Sequence, residues 1–418
     1  MARMRRLVLL PLLALVLLAA SRASASPYVQ YGVQDDAWLE YGSGTLSDRL
    51  DRLQDLGVDI VRVTLDWRAT EPTAGTEDWS TIDPIVQGLH ERNIAVLLTL
   101  YGSPAWANGG RAENVAPSNG TAFAAFAATV AKRYPFVKKW EIWNEPNQRR
   151  WLQPTSPAVY TRVLLNPAYA AIHRVSPGSQ VAGGATAPRG STGGVSPLAW
   201  ISGMKAAGAH LDAYAHHPYP LAPGETPTSG GCGHCTTVTM ATINRLLTAV
   251  KRSFGPSTRI WLTEYGYQTN PPDRLLGVSY GAQAQYLAAA ALRAYEEPRV
   301  DMLIQYLVED EPNVDRWQSG LMTADGREKP SYETFRFPLT VQSRSGRRTT
   351  LWGQVRPGSG AQLYVLQRFA GGTWHAVGTQ ATTTARGYLH RVVESAPGTR
   401  FRLWVPAQRE YGTVLTVR

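Results

Sequence analysis

Two glutamates stand where a short apolar run gives way to a turn. Glu145 follows "KKWEIWN" and precedes Pro146, and Glu264 closes "TRIWLTE". A carboxylate is cheapest in water, so a place among tryptophans and β-branched residues asks for a reason. Two carboxylates flanking one bond can divide a displacement at an acetal carbon, as glycoside cleavage requires. One protonates the departing oxygen while the other attacks the carbon. At the ~5–5.5 Å separation typical of retaining chemistry, the second forms a covalent intermediate. Taken singly, either acid could equally cap a helix or pair with an arginine. Their joint occurrence, and the elements that position them, point to chemistry.

Those elements are regular. From Tyr28 to about Phe337, eight β-branched or apolar runs alternate with longer helical patterns. The runs are "YVQYGV", "DIVRVTL", "IAVLLTL", "VKKWEIW", "QVAGGA", "LDAYAHH", "TRIWLTE" and "DMLIQYL"; "GTLSDRLDRLQDLG" and "TAFAAFAATVAKRY" are typical of the stretches between. Such alternation predicts parallel strands joined by crossover helices. Eight units fit an α/β fold of the (β/α)₈ TIM-barrel type, which takes about 250 residues plus insertions. No glycine-rich phosphate fingerprint follows the first run, which counts against an open doubly wound sheet. In a barrel, reactive groups sit at the C-terminal ends of the strands. Glu145 belongs to the fourth run and Glu264 to the seventh, on opposite sides of an eight-strand closure, so both can face one central cleft.

The barrel is expected over residues 27–337. After "REKPSYETFRFPLT" the texture changes to short alternating runs such as "TTLWGQV", "AQLYVLQRF" and "TRFRLWV", separated by "RPGSG", "AGG" and "APGT". This predicts a small all-β sandwich, Ig-like or fibronectin III-like, over residues 338–418. At the other end, "MARMRR", then "LVLLPLLALVLLAA", then "ASA" read as a signal peptide over residues 1–25. That apolar run is short for a membrane span and is broken by Pro11, so the expectation is a secreted, extracellular protein without a stable membrane anchor.

The formal net charge of +10 is unevenly spread. The leader holds four Arg and no acid; the segment from Pro338 onward holds eleven Arg against Glu394 and Glu410. The barrel itself is left slightly acidic, so nucleic acid is not expected as its partner. The basic segment could hold an anionic wall or matrix polymer, or be a solvated surface that supports the barrel. Thirteen Trp and nineteen Tyr give flat faces suited to sugar rings, although core filling accounts for most of them. Cys232 and Cys235 in "GGCGHC" have redox-motif spacing, but lie in a Gly/Pro/Thr-rich loop, where a loop-pinning disulfide is the better expectation.

With these residues in view, "WEIWNEPN" and "WLTEYGY" resemble the acid/base and nucleophile motifs of clan A glycoside hydrolases, the (β/α)₈ retaining group. The likeness spans most of residues 30 to 335, with family 5 cellulases and the family 39 xylosidase type as its nearest forms. It implies Glu145 as acid/base, Glu264 as nucleophile and Asn144 as a hydrogen-bond partner of the sugar 2-hydroxyl. "VRVTLDW" resembles the second-strand motif whose arginine, here Arg62, supports the nucleophile; pairing with Glu141 is the alternative for that residue. "HHPY" resembles a His-x-Tyr pattern mapping onto His217 and Tyr219. Period-two alternation points these two one way and His216 the other, and Tyr219 is placed to donate to Glu264.

Trp106 in "GSPAWANGG" is expected as either a stacking platform or a core residue. In the enzymes this chain resembles, strand eight often ends in a Trp beneath the cleaved sugar; Gln305 and Tyr306 occupy that place here. An apolar setting beside Trp143 is expected to keep Glu145 protonated. The chemistry requires no cofactor and no metal. The expected partner is an oligosaccharide or polysaccharide. The competing reading is a barrel that binds carbohydrate without cleaving it.

Overall fold

The computed structural model describes Ser26 and residues 28–418; the leader read in residues 1–25 lies outside the described residues. Eight parallel strands close into a barrel: β1 (Gln30–Gln34), β2 (Ile60–Asp66), β3 (Ala95–Tyr101), β4 (Lys139–Ile142), β5 (Gln180–Thr186), β6 (Ala213–His216), β7 (Arg259–Tyr265) and β8 (Val300–Tyr306). The closing pair is β1 with β8, in register from Gln30 opposite Met302 to Gln34 opposite Tyr306. Each predicted run supplies one strand. Inside the barrel Ile60, Leu97, Ala182, Ala213, Ala215, Trp261, Met302 and Ile304 make a packed plug, and a larger core lies between strands and helices.

Local chemistry sets the helix bounds. The helix Leu46–Leu56 starts at a capping box between Thr45 and Asp48. It stops at Gly57, whose φ of 72° suits glycine. A Cβ on Gly57 would come within 2.6 Å of the backbone of Arg356 and Pro357, so this glycine also allows the C-terminal segment to pack close. Among the described residues no helix is long and apolar enough to cross a membrane.

Residues beyond the barrel form two antiparallel sheets around a core that includes Leu351, Leu366, Leu389, Phe401, Leu403 and Val405. One has the order β14-β10-β9, from Tyr388–Glu394, Arg348–Gln354 and Leu339–Ser345; the other has β12-β11-β15-β16, from Thr373–Ala376, Leu363–Ala370, Arg400–Val405 and Glu410–Tyr411. Two short strands, β13 (Ala381–Thr382) and β17 (Leu415–Thr416), pair with β11 and β15. β9 was hidden in the sequence: "LTVQSRS" ends in polar residues and lacks the alternation of its neighbours. The smaller sheet lies on the barrel, where Trp352 and Tyr388 stack near Tyr295. Arg356 reaches back to within 4.0 Å of the Tyr31 ring centre and donates to the Phe335 carbonyl at 2.6 Å.

Candidate active site

The strand-four turn is unusual in its backbone. β4 ends at Ile142, three residues before Glu145, and both Trp143 (φ 71°) and Glu145 (φ 38°) are left-handed. A side chain in that region costs about 1–2 kcal/mol. Ala185 (φ 40°) near the end of β5 and Leu307 (φ 73°) just past β8 share the feature on the same rim. Strain of this kind concentrates where geometry serves a site. Asn147 holds the turn in place: its Oδ1 accepts from the Ala187 amide at 2.9 Å, and its Nδ2 donates to the Val195 carbonyl at 3.0 Å.

Glu145 and Glu264 meet as expected from strands four and seven. His217, just past β6, joins them. Its Nδ1 lies 3.1 Å from Oε1 of Glu145 and 3.5 Å from Oε2 of Glu264. One donor atom from each of the three falls within 4.8 Å of the others, a grouping that could also hold a cation. His217 is fully buried and its Nε2 has no hydrogen-bond partner. Burial works against its protonation, but Glu264 first and Glu145 next outweigh that, and its pKa is raised above 6.5.

Arg62, buried on β2, ties three other strands together. Its Nε donates to Glu141 at 2.6 Å, its Nη1 to Glu264 at 2.6 Å, and its Nη2 to Asn144 Oδ1 at 2.9 Å; Nη1 also donates to Gln34. The two expectations for Arg62, support of Glu264 and pairing with Glu141, hold together. Burial disfavours its charge, while Glu141 and then Glu264 overcome this and hold the guanidinium protonated. Because arginine only donates, the Asn144 oxygen must face it, which leaves the Asn144 amide N–H groups free for a ligand. Tyr219 donates to the second oxygen of Glu264 at 3.0 Å. His216 points the other way, between Thr186 at 2.9 Å and the Val238 carbonyl at 3.1 Å.

One expected neighbour of Glu145 is placed differently. Trp143 is buried against Tyr101 and Phe123 and donates to the Trp151 carbonyl at 2.7 Å. The group in contact with Glu145 is thus a histidine, where an indole wall was expected. The left-handed turn accounts for the difference, because it breaks the alternation that would align the two side chains. Trp106 is 37% exposed, but its hydrogen bond and ring contact run to Glu71 at 2.9 Å and Trp67 at 5.5 Å rather than to the glutamate pair. Tyr306 stands 6.3 Å from Tyr219, ring centre to ring centre. Cys232 and Cys235 are joined in an outer loop.

Two contributors carry no recognisable signal in the sequence. Gln34, at the end of β1, accepts from Arg62. Trp317, in the loop after β8, lies 5.0 Å from the Tyr219 ring and 5.5 Å from Tyr306, and is 37% exposed. An indole therefore reaches the rim near strand eight from the loop that follows that strand. That loop is held by Lys329, which donates to Asp310 at 2.7 Å, to Thr269 at 2.9 Å and to the Gln318 carbonyl at 3.4 Å, all buried. A cavity of about 420 Å³ lies elsewhere, at the N-terminal face among Lys205, His210, Lys251 and Arg252. Its walls lack paired carboxylates.

Residues 23–179 match the family model described as Cellulase (glycosyl hydrolase family 5). The matched segment holds Arg62 and Glu145 and ends before Glu264. No curated protein matches the chain. Among solved structures, a family 39 glycoside hydrolase from the gut symbiont Bacteroides cellulosilyticus WH2 is similar at 19% identity and a TM-score of 0.63, over 89% of this chain and 80% of that one. A GH39 enzyme from Xanthomonas axonopodis pv. citri is similar at 15% identity and a TM-score of 0.58, over 89% of this chain and 93% of that one. A glucosidase from Croceicoccus marinus is similar at 13% identity and a TM-score of 0.60, over 90% and 98% respectively. At these identities the structural likeness speaks for the fold. With the sequence match, it sets the chain beside clan A glycoside hydrolases.

Proposed function

We propose that this protein is a secreted retaining glycosidase that cleaves a β-linked glycan or glycoside by double displacement. The observation that carries the reading is the meeting of Glu145 and Glu264 across the barrel on His217, with donor atoms within 4.8 Å. In the first step a Glu264 oxygen bonds to the anomeric carbon as the bond to the leaving oxygen breaks. The Glu145 proton passes to that oxygen. In the second step water attacks the same carbon, gives its proton to Glu145, and releases Glu264 as a carboxylate.

Each neighbour has a task in this scheme. Arg62 and Tyr219 each donate to one Glu264 oxygen and so fix the carboxylate for attack. His217 occupies Oε1 of Glu145, which leaves Oε2 to carry the transferred proton. The free Asn144 amide is available to the sugar 2-hydroxyl, and Trp317 with Tyr306 offers an apolar wall for a ring. No step calls for a cofactor. Secretion is supported by the leader-type composition of residues 1–25, and attachment to an anionic polymer by the arginine excess of residues 338–418.

The test is reducing-end release from β-xylans, β-glucans, β-galactans, mannans and aryl β-glycosides, with wild type and Glu264→Gln side by side. Release by wild type alone, with a trapped glycosyl ester on Glu264, is expected. Normal turnover by Glu264→Gln would sink the proposal. Saccharide affinity with no release from any substrate would favour a barrel that only binds.

A further inference from the structure

The larger C-terminal sheet turns Tyr364, Leu366, Phe401, Leu403 and Val405 into the domain core. The smaller sheet is the one that lies on the barrel. Alternation therefore leaves the other face of the larger sheet outward. Cross-strand register sets Phe369 opposite Trp374, Trp404 opposite Tyr411, and Arg402 opposite Gln367, all on that face.

On it the rings and guanidinium groups interleave. The Arg400 guanidinium carbon lies 3.8 Å from the Phe369 ring centre; that of Arg402 lies 3.7 Å from Tyr411 and 4.3 Å from Trp374. Trp404 and Tyr411 are 4.4 Å apart. Arg402 gives one N–H to Gln367 at 2.8 Å. Among the described residues neither arginine has a carboxylate partner. The two acids of the domain are engaged elsewhere, Glu410 with Arg336 and Glu394 at 3.9 Å from Arg347. Stacking holds each guanidinium flat and leaves N–H edges for an anion.

We propose that this face binds an acidic polysaccharide of the uronate type, with sugar rings on the aromatic faces and carboxylates on Arg400 and Arg402. Flat rings alternating with planar cations match a polymer of rings that bear carboxylates, and the domain charge is complementary to it. The choice of a glycan over other polyanions rests on the glycosidase reading. The site itself does not depend on catalysis.

The experiment is affinity electrophoresis of the full chain in gels containing polygalacturonate or its methyl-esterified, neutral form. Wild type should be retained by the acidic polymer alone, and less so in high salt. Arg400→Gln with Arg402→Gln should weaken retention about tenfold, while Arg347→Gln with Arg348→Gln, which removes the same charge, should change it little. Trp404→Ala should weaken retention at constant charge, and Arg402→Lys should do so without emptying the position. Melting curves would confirm that each variant folds. Turnover of an aryl glycoside, read in parallel, should stay at the wild-type level in all of them, so failure of catalysis and failure of this site are separable. Equal weakening by the two arginine pairs would overturn the proposal. So would equal retention by neutral polymer, tighter retention by a single-stranded polynucleotide, or no retention of wild type.

Discussion

Replacing His217 with glutamine removes the group that reaches both site carboxylates. Its Nδ1 lies 3.1 Å from Glu145 and 3.5 Å from Glu264. For a charge pair at the longer distance, an effective dielectric of about 20 gives about 5 kcal/mol before desolvation. Taking the imidazolium out of water returns several kcal/mol of that, so a net of roughly 1–3 kcal/mol is left. Burial lowers the His217 pKa and the Glu264 and Glu145 contacts raise it more, so the folded value stands above 6.5. For a base raised in this way, stabilisation is complete below the unfolded value and is lost as pH rises through the folded one. Melting temperatures of wild type and His217→Gln, compared from about pH 6 to about pH 9, test this in a window where ordinary carboxylates are already ionised. The wild-type lead should be largest near the acid end and should shrink upward. A lead that stays flat, or widens with pH, would refute the assignment of a buried cation.

Three other outcomes are expected. Tyr219→Phe removes a 3.0 Å hydrogen bond to Glu264 and nothing else in shape; a bond to a charged group is worth about 1.5–3 kcal/mol, so kcat should fall roughly tenfold to a hundredfold with the melting curve little changed. Unaltered kcat would remove Tyr219 from the mechanism. Trp317→Ala should raise KM for a preferred substrate more than it lowers kcat, because the indole offers surface beside Tyr219 and Tyr306 rather than a reacting group; the reverse pattern would contradict that role. Lys329→Met leaves Asp310 buried without its 2.7 Å partner and should cost about 3–5 kcal/mol, while adding Asp310→Leu should restore much of it. Equal instability of the single and double variants in denaturant would show that the pair is not the source.

Glu145, Glu264, Arg62, His217 and Tyr219 were legible for a common reason. Each sits on or just past a strand, an eight-strand count states which strands face each other, and the motif resemblance singled out Arg62, His217 and Tyr219. Trp143 was not legible because its turn holds left-handed residues, itself and Glu145, that break the alternation, and nothing in "IWNEP" announces the sign of φ. Gln34 was missed because its role exists only through Arg62, twenty-eight positions away. Trp317 was missed because it lies in the irregular loop after β8, and loop paths leave no periodic trace. β9 escaped because its outer end is polar.

The position of His217 between the two glutamates has a further consequence for the proposed cycle. When the glycosyl ester forms, Glu264 gives up its negative charge in the step that leaves Glu145 with one. A cation near only one of them would gain or lose a partner at each half-reaction. His217, 3.1 Å from one and 3.5 Å from the other, sees one anion move across it while the total stays constant. The imidazolium can remain charged through both halves, acting as a fixed fulcrum over which the charge tips to and fro.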